Sequence, residues 1–104
     1  KSLMNAANYD VLIGWGTDVS YKSYKKNPGL EFKMRKDFLE YSNVEILKQA
    51  TINSAKLLML EDKKGTVKVG KHADLIVVNG DPIEDISVMY SPPAHVIKGG
   101  VFIR

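Results

Sequence analysis

The stretch "DVLIGWGTDVS", Asp10 to Ser20, holds the residue of this chain best placed for chemistry. An apolar run, Val11 to Trp15, leads into Gly16, Thr17 and Asp18, and the chain then turns polar. A carboxylate just past the end of a buried strand can hold a divalent metal and work on the water bound to it. Such a metal lowers the pKa of its water from about 15.7 to about 7. The carboxylate can then accept the proton and later hand it to a leaving nitrogen. Asp suits the role because its short side chain keeps the oxygens close to the strand end. Gly16 would allow close backbone approach, and Thr17 could fix the carboxylate by a hydrogen bond. Taken alone, the same three residues also read as an ordinary turn with Asp18 as its cap.

The other chemistry-bearing residues have plainer readings. The two histidines, His72 and His95, lie in the back half, one in a turn between Lys71 and Ala73 and one after Pro92-Pro93. Both read as solvated. Asp74 reads as a structural carboxylate, buried or half-buried, that fixes the turn after Gly70, and Asp81 before Pro82 as turn chemistry. Tyr21 and Tyr24 could line a substrate pocket or belong to a surface loop. Lys22, Lys25 and Lys26 could attract an anionic substrate, although a solvated charged loop is the simpler account. Trp15 reads as core.

These residues must be positioned by the elements around them. Residues 1–8 read as the end of a helix, and residues 11–15 as a strand buried on both faces, as in parallel sheets. Residues 19–29 read as a loop ending in Pro28-Gly29 and long enough for a lid. Leu30, Met34, Phe38 and Tyr41 recur at helical spacing over residues 30–41. Ser42 and Glu45 match a capping box, which opens a helix over about residues 43–60. Its expected apolar face carries Val44, Leu47, Ala50, Thr51, Ser54, Ala55 and Leu58. The period then becomes twofold. "TVKVG" alternates, "ADLIVVN" reads as a strand, and "HVIKGGVFIR" as a hairpin around Gly99-Gly100.

The bulk numbers exclude several classes. The chain has 104 residues, enough for one small domain, with 44% hydrophobic and 26% charged content. Its net charge of +3 is spread over scattered lysines, with no basic block of a nucleic-acid binder. The lack of cysteine removes disulfides, thiolate metal sites and cysteine nucleophiles, and fits a cytoplasmic protein. No apolar run approaches the roughly 18 residues that span a membrane, and the start has no signal-peptide pattern. The chain begins at Lys1 inside a helix-like stretch, which leads us to expect a piece of a longer protein.

Two segments together are more specific than either alone. "GTD" after an apolar strand is followed by "QATINSAKLLMLEDKKGTVKVGKHADLIVVNGDPIEDI", residues 49–86, and by "VIKGG" at 96–100. The pattern is an Ala-Thr-x-Asn-x-Ala helix, then Gly-x-Val-x-x-Gly-x-x-Ala-Asp-Leu, then a hydrophobic strand. It is met at Ala50, Thr51, Asn53, Ala55, Gly65, Val67, Gly70, Ala73, Asp74 and Leu75. This resembles the C-terminal portion of the metal-dependent amidohydrolase superfamily, in its imidazolonepropionase-like and prolidase-like branch.

The resemblance implies an α/β fold class: the C-terminal part of a (β/α)8 barrel plus a small β-sandwich segment. Residues 1–63 would supply the last strand-helix units of the barrel, and residues 64–104 the β-sandwich segment. Val11 to Trp15 would be the eighth barrel strand. Asp18 would be both metal ligand and catalytic proton acceptor, with a divalent metal, zinc by expectation, as cofactor. Barrel active sites do lie at the C-terminal ends of strands. The implied reaction is hydrolysis of a C–N bond in a small-molecule substrate such as a cyclic amide or dipeptide.

The family's other ligands are a His-x-His pair, a mid-barrel carboxylate or modified Lys, and two further His residues, and none lies in this chain. The chain alone is therefore expected to be inactive. Its cut strand edges should be paired by homo-oligomerisation, with no nucleic-acid or membrane partner. The competing reading is a non-enzymatic structural or dimerisation module.

Overall fold

The computed structural model describes Ala6 and residues 9–104. The helix expected over residues 1–8 lies outside the described residues, Ala6 apart. The observed helices are α1 (Tyr21–Lys26), α2 (Leu30–Leu39) and α3 (Asn43–Lys48). A π-helical turn, Gln49–Asn53, continues α3 into α4 (Ser54–Leu57). Strands β1 (Leu75–Val77), β2 (His95–Lys98) and β3 (Val101–Phe102) follow, with a 3-10 turn, Ile86–Met89, between the first two. The chain is thus a small α/β unit.

The helix starts follow their caps. Ser42 Oγ accepts from the Glu45 amide at 3.2 Å, and the Glu45 carboxylate accepts from the Ser42 amide at 2.8 Å. This is the expected capping box, worth about 1 kcal/mol. Those two Ser42 groups also hold the Glu45 carboxyl below its ordinary pKa. Ser20 caps α1 by accepting from the Ser23 amide at 3.3 Å. Residues 21–26 are therefore helical where a loop was expected. A single serine cap and basic residues in the last turn, Lys25 and Lys26, suffice for six residues of helix.

The core gathers Tyr41, Ile46 and Ile86, with Ile13, Trp15, Phe32, Leu39, Leu47, Met89 and Tyr90 packed against them. It sits where α2, α3 and the 3-10 turn meet. The buried sides of the two helices differ from the spacing read for the first and the face expected of the second. Of the four residues at helical spacing, Tyr41 is buried, whereas Leu30, Met34 and Phe38 are exposed, Phe38 by 70%, and α2 turns Phe32, Arg35 and Leu39 inward. In the next helix Ile46, outside the expected apolar face, is 0% exposed, while Val44 and Leu58 face out. The π turn changes the helical phase midway, so one 3.6-residue stripe cannot describe both ends. The helix also ends at Leu57 rather than near residue 60.

The back half is a three-stranded antiparallel sheet in the order β1-β2-β3. Leu75 pairs with Ile97, Ile76 with Val96 and Val77 with His95, and Ile97 pairs with Phe102 across the hairpin. Gly99 and Gly100 have φ of 57° and 83°. A two-residue hairpin turn with both φ positive strongly favours glycine, so this hairpin forms as expected.

Two expected strands are absent among the described residues. Val11 to Trp15 is not a strand: the Ile13 carbonyl and the Trp15 amide are bonded to helix side chains, Asn53 and Ser54, rather than to a neighbouring strand. "TVKVG" is likewise not a strand. Val67 and Val69 are exposed, and Lys71 leaves the run in a turn, donating its amide to the Lys68 carbonyl. Alternation alone does not make a strand without a partner to pair with. No described helix is long and apolar enough to cross a membrane.

Candidate functional site

Asp18 follows Gly16 and Thr17 in an irregular segment that leads into α1. Its φ is 49°, the left-handed region, which Asp tolerates better than most residues. The side chain is exposed. No hydrogen bond joins its carboxylate to Thr17 or to any other described residue. The close backbone approach is at Gly14 rather than Gly16. A Cβ at Gly14 would lie 2.5 Å from Leu57 Cδ1 and 3.2 Å from Ser54 Oγ, whereas one at Gly16 would meet nothing within 4 Å.

What holds the segment is the helix behind it. Asn53 Nδ2 donates to the Ile13 carbonyl at 3.0 Å. The Trp15 amide donates to Ser54 Oγ at 2.9 Å, and that hydroxyl donates in turn to the Gln49 carbonyl at 2.7 Å. Thr51 Oγ1 bonds back to the Leu47 carbonyl at 2.7 Å. The Ser54 hydroxyl, bonded back across five positions, spans the π turn, and such back-bonds favour helix distortion.

The Trp15 ring packs against Phe32 with centroids 4.4 Å apart. The Arg35 guanidinium stands 4.5 Å from its ring centroid, a cation–π contact. Arg35 is 3% exposed. It donates through Nε to Glu31 Oε1 at 2.8 Å and through Nη1 to Gln49 Oε1 at 2.7 Å. A buried guanidinium needs such partners to offset its desolvation. Arg35, Gln49, Asn53 and Ser54 were not expected near the site. The available hint was three small polar residues, Thr51, Asn53 and Ser54, inside a helix whose interior does not favour them.

Tyr21, Tyr24, Lys22, Lys25 and Lys26 sit on α1, exposed, close in sequence to Asp18. His72 and His95 are both exposed; the His95 ring meets Phe102 edge-on at 5.5 Å. Asp81 caps a tight turn by accepting from the Ile83 amide at 2.9 Å, as expected.

Asp74 is structural, but it is not buried and it holds a different turn. It accepts from Lys64 Nζ at 2.7 Å and from the Gly99 amide at 2.8 Å, tying residue 64 to the hairpin turn. Lys64 first, then the Gly99 amide, lowers its pKa from 3.8 to about 2. A depressed carboxylate pKa stabilises the fold above the unfolded value and loses that contribution as pH falls through the folded one. The clamp should hold at neutral pH and weaken from about pH 4 towards pH 2. Urea midpoints across that range should fall less steeply in Asp74→Asn than in the wild type.

Asp18 offers one ligand, whereas a catalytic zinc takes about three from protein. Among the described residues, no three His, Cys, Asp or Glu side chains gather where they could hold a metal ion. The described residues on their own do not fit a resident metal.

The comparisons with known proteins agree on a relationship. The imidazolonepropionase of Picrophilus torridus is 29% identical over 83 residues, which cover 80% of this chain and 21% of that protein. A solved Xaa-Pro dipeptidase with methionine bound in its active site is similar with a TM-score of 0.84 and 35% identity, over 99% of this chain and 25% of that one. The A. niger ochratoxinase structure gives a TM-score of 0.84 at 28% identity, over 100% of this chain and 24% of that one. This chain spans about a fifth of the curated relative's length and about a quarter of the solved ones. The model of the amidohydrolase family matches residues 2–103, nearly the whole sequence, and the chain belongs to that family.

Proposed function

We propose that this chain is the C-terminal part of a metal-dependent hydrolase that cleaves C–N bonds in small molecules such as cyclic amides or dipeptides. In this reading residues 1–63 complete a barrel, residues 64–104 complete a β-sandwich, and Asp18 is the catalytic carboxylate. The observation that carries it is the placement of Asp18. It is an exposed acid just past an apolar segment anchored to a helix, in a chain whose family match runs from residue 2 to residue 103. Asp18 takes a proton from the attacking water and delivers it to the leaving nitrogen. The divalent metal, zinc in this reading, would take its remaining ligands from outside this chain, and when bound it supplies an acidified water.

The relatives' names guide the choice of substrates. The full-length protein, assayed for released amine against Xaa-Pro dipeptides and cyclic amides, should turn over at least one of them. No turnover of either class contradicts the proposal.

The exposed faces fit the same reading. Leu30, Met34 and Phe38 on α2, and Val101, Phe102 and Ile103 near the sheet edge, are apolar and uncovered by described residues. Such surface is normally covered. We propose that the 104-residue chain by itself self-associates through it. Sizing chromatography should show oligomers, and a clean, stable monomer contradicts this.

A further inference from the structure

We propose that Asn53 and Ser54, presented at the end of the π turn, are positioning residues that set where Asp18 stands. The inference rests on the catalytic reading of Asp18 given above. Because the Asp18 carboxylate has no described hydrogen-bond partner, its location is fixed by the backbone that precedes it. Two adjacent helix residues hold that backbone: Asn53 grips the Ile13 carbonyl at 3.0 Å, and Ser54 receives the Trp15 amide at 2.9 Å.

The grip has a defined polarity. A serine hydroxyl has one proton, and Ser54 gives its proton to the Gln49 carbonyl at 2.7 Å. Its lone pairs are thereby left to face Trp15. Gln49 is fixed in turn by Arg35 at 2.7 Å, and Arg35 stands against the Trp15 ring. Arg35, Gln49, Ser54 and Trp15 form a closed circuit that ends three residues before Asp18. Gly14 lets the segment lie flat against this helix, since a Cβ there would press on Leu57 and Ser54. π turns recur at functional sites, and this one ends in Asn53 with Ser54 directly after it.

Displacing a catalytic group by about 1 Å can cost about 100-fold in rate. The test uses the full-length protein, with hydrolysis of an Xaa-Pro dipeptide or cyclic amide as the activity. Ser54→Ala and Asn53→Asp should each lower kcat about 10- to 100-fold with KM within about twofold. Thr51→Ala removes a hydroxyl of the same turn that touches nothing in the Asp18 segment, and it should leave kcat unchanged.

A second readout does not depend on activity. In 5-fluorotryptophan-labelled protein, the Trp15 resonance, assigned by its loss in Trp15→Phe, should shift or broaden in Ser54→Ala and Asn53→Asp but not in Thr51→Ala. The proposal is overturned if Asp18→Asn is inactive while Ser54→Ala and Asn53→Asp keep wild-type kcat and an unmoved Trp15 resonance. It is equally overturned if Thr51→Ala loses as much as they do. Full activity in Asp18→Asn would instead overturn the catalytic reading on which the proposal rests.

Discussion

Replacing Asp18 by Asn in the full-length protein is expected to lower kcat about 100- to 10,000-fold while leaving its thermal stability unchanged. The amide has nearly the shape of the carboxylate but cannot accept a proton from water or pass one to a leaving nitrogen. Asn is also the right replacement for the backbone. Asp18 has a φ of 49°, and Asn, like Asp, enters the left-handed region at modest cost. Ala there would add strain of about 1–2 kcal/mol and confuse chemistry with folding. Asp18 is exposed and makes no hydrogen bond to a described residue, so its carboxylate contributes little to the described fold. Steady-state kinetics paired with a melting curve checks both halves. An Asp18→Asn protein that melts normally and turns over normally would remove Asp18 from the mechanism.

Ile46→Ala should be the most damaging single truncation in the described core. Ile46 is 0% exposed and packs in the cluster with Tyr41 and Ile86. Removing its outer carbons leaves a cavity between α3 and the 3-10 turn, and buried Ile-to-Ala changes cost about 2–5 kcal/mol. The loss should appear as a lower urea midpoint with an unchanged slope, because the surface exposed on unfolding stays nearly the same. A midpoint within error of the wild type would mean that this cluster is not what holds the helices together.

The residue types foretold the parts of this structure that are local. Ser42 and Glu45 close a capping box, and Gly99-Gly100 closes a hairpin, because each involves a few neighbouring residues with specific backbone demands. Parts that depend on distant partners were hidden. Val67 and Val69 alternate like a strand, yet no described strand lies beside them to complete a ladder. Leu30, Met34, Phe38 and Tyr41 share a helical spacing, but only Tyr41 reached the core, which formed on the side of α2 that carries Phe32 and Arg35.

At the candidate site the same division holds. The position of Asp18 after an apolar run was visible in the sequence. Its anchoring by Asn53 and Ser54 was not, since those contacts span 40 and 39 positions of chain and depend on a π turn. Arg35 was the least expected member. A buried cation is rare unless paired; its partner Glu31 lies one turn away on α2, but Gln49 becomes a neighbour only when α2 packs on the next helix.

The most direct test of the central claim, that Asp18 serves a metal site completed by residues outside this chain, is one hydrolysis measurement. The full-length protein and the 104-residue chain are each assayed on Xaa-Pro dipeptides and cyclic amides, before and after chelation and zinc add-back. The account predicts turnover by the full-length protein alone, lost on chelation and restored by zinc. Turnover that survives chelation, or turnover by the 104-residue chain itself, would contradict it.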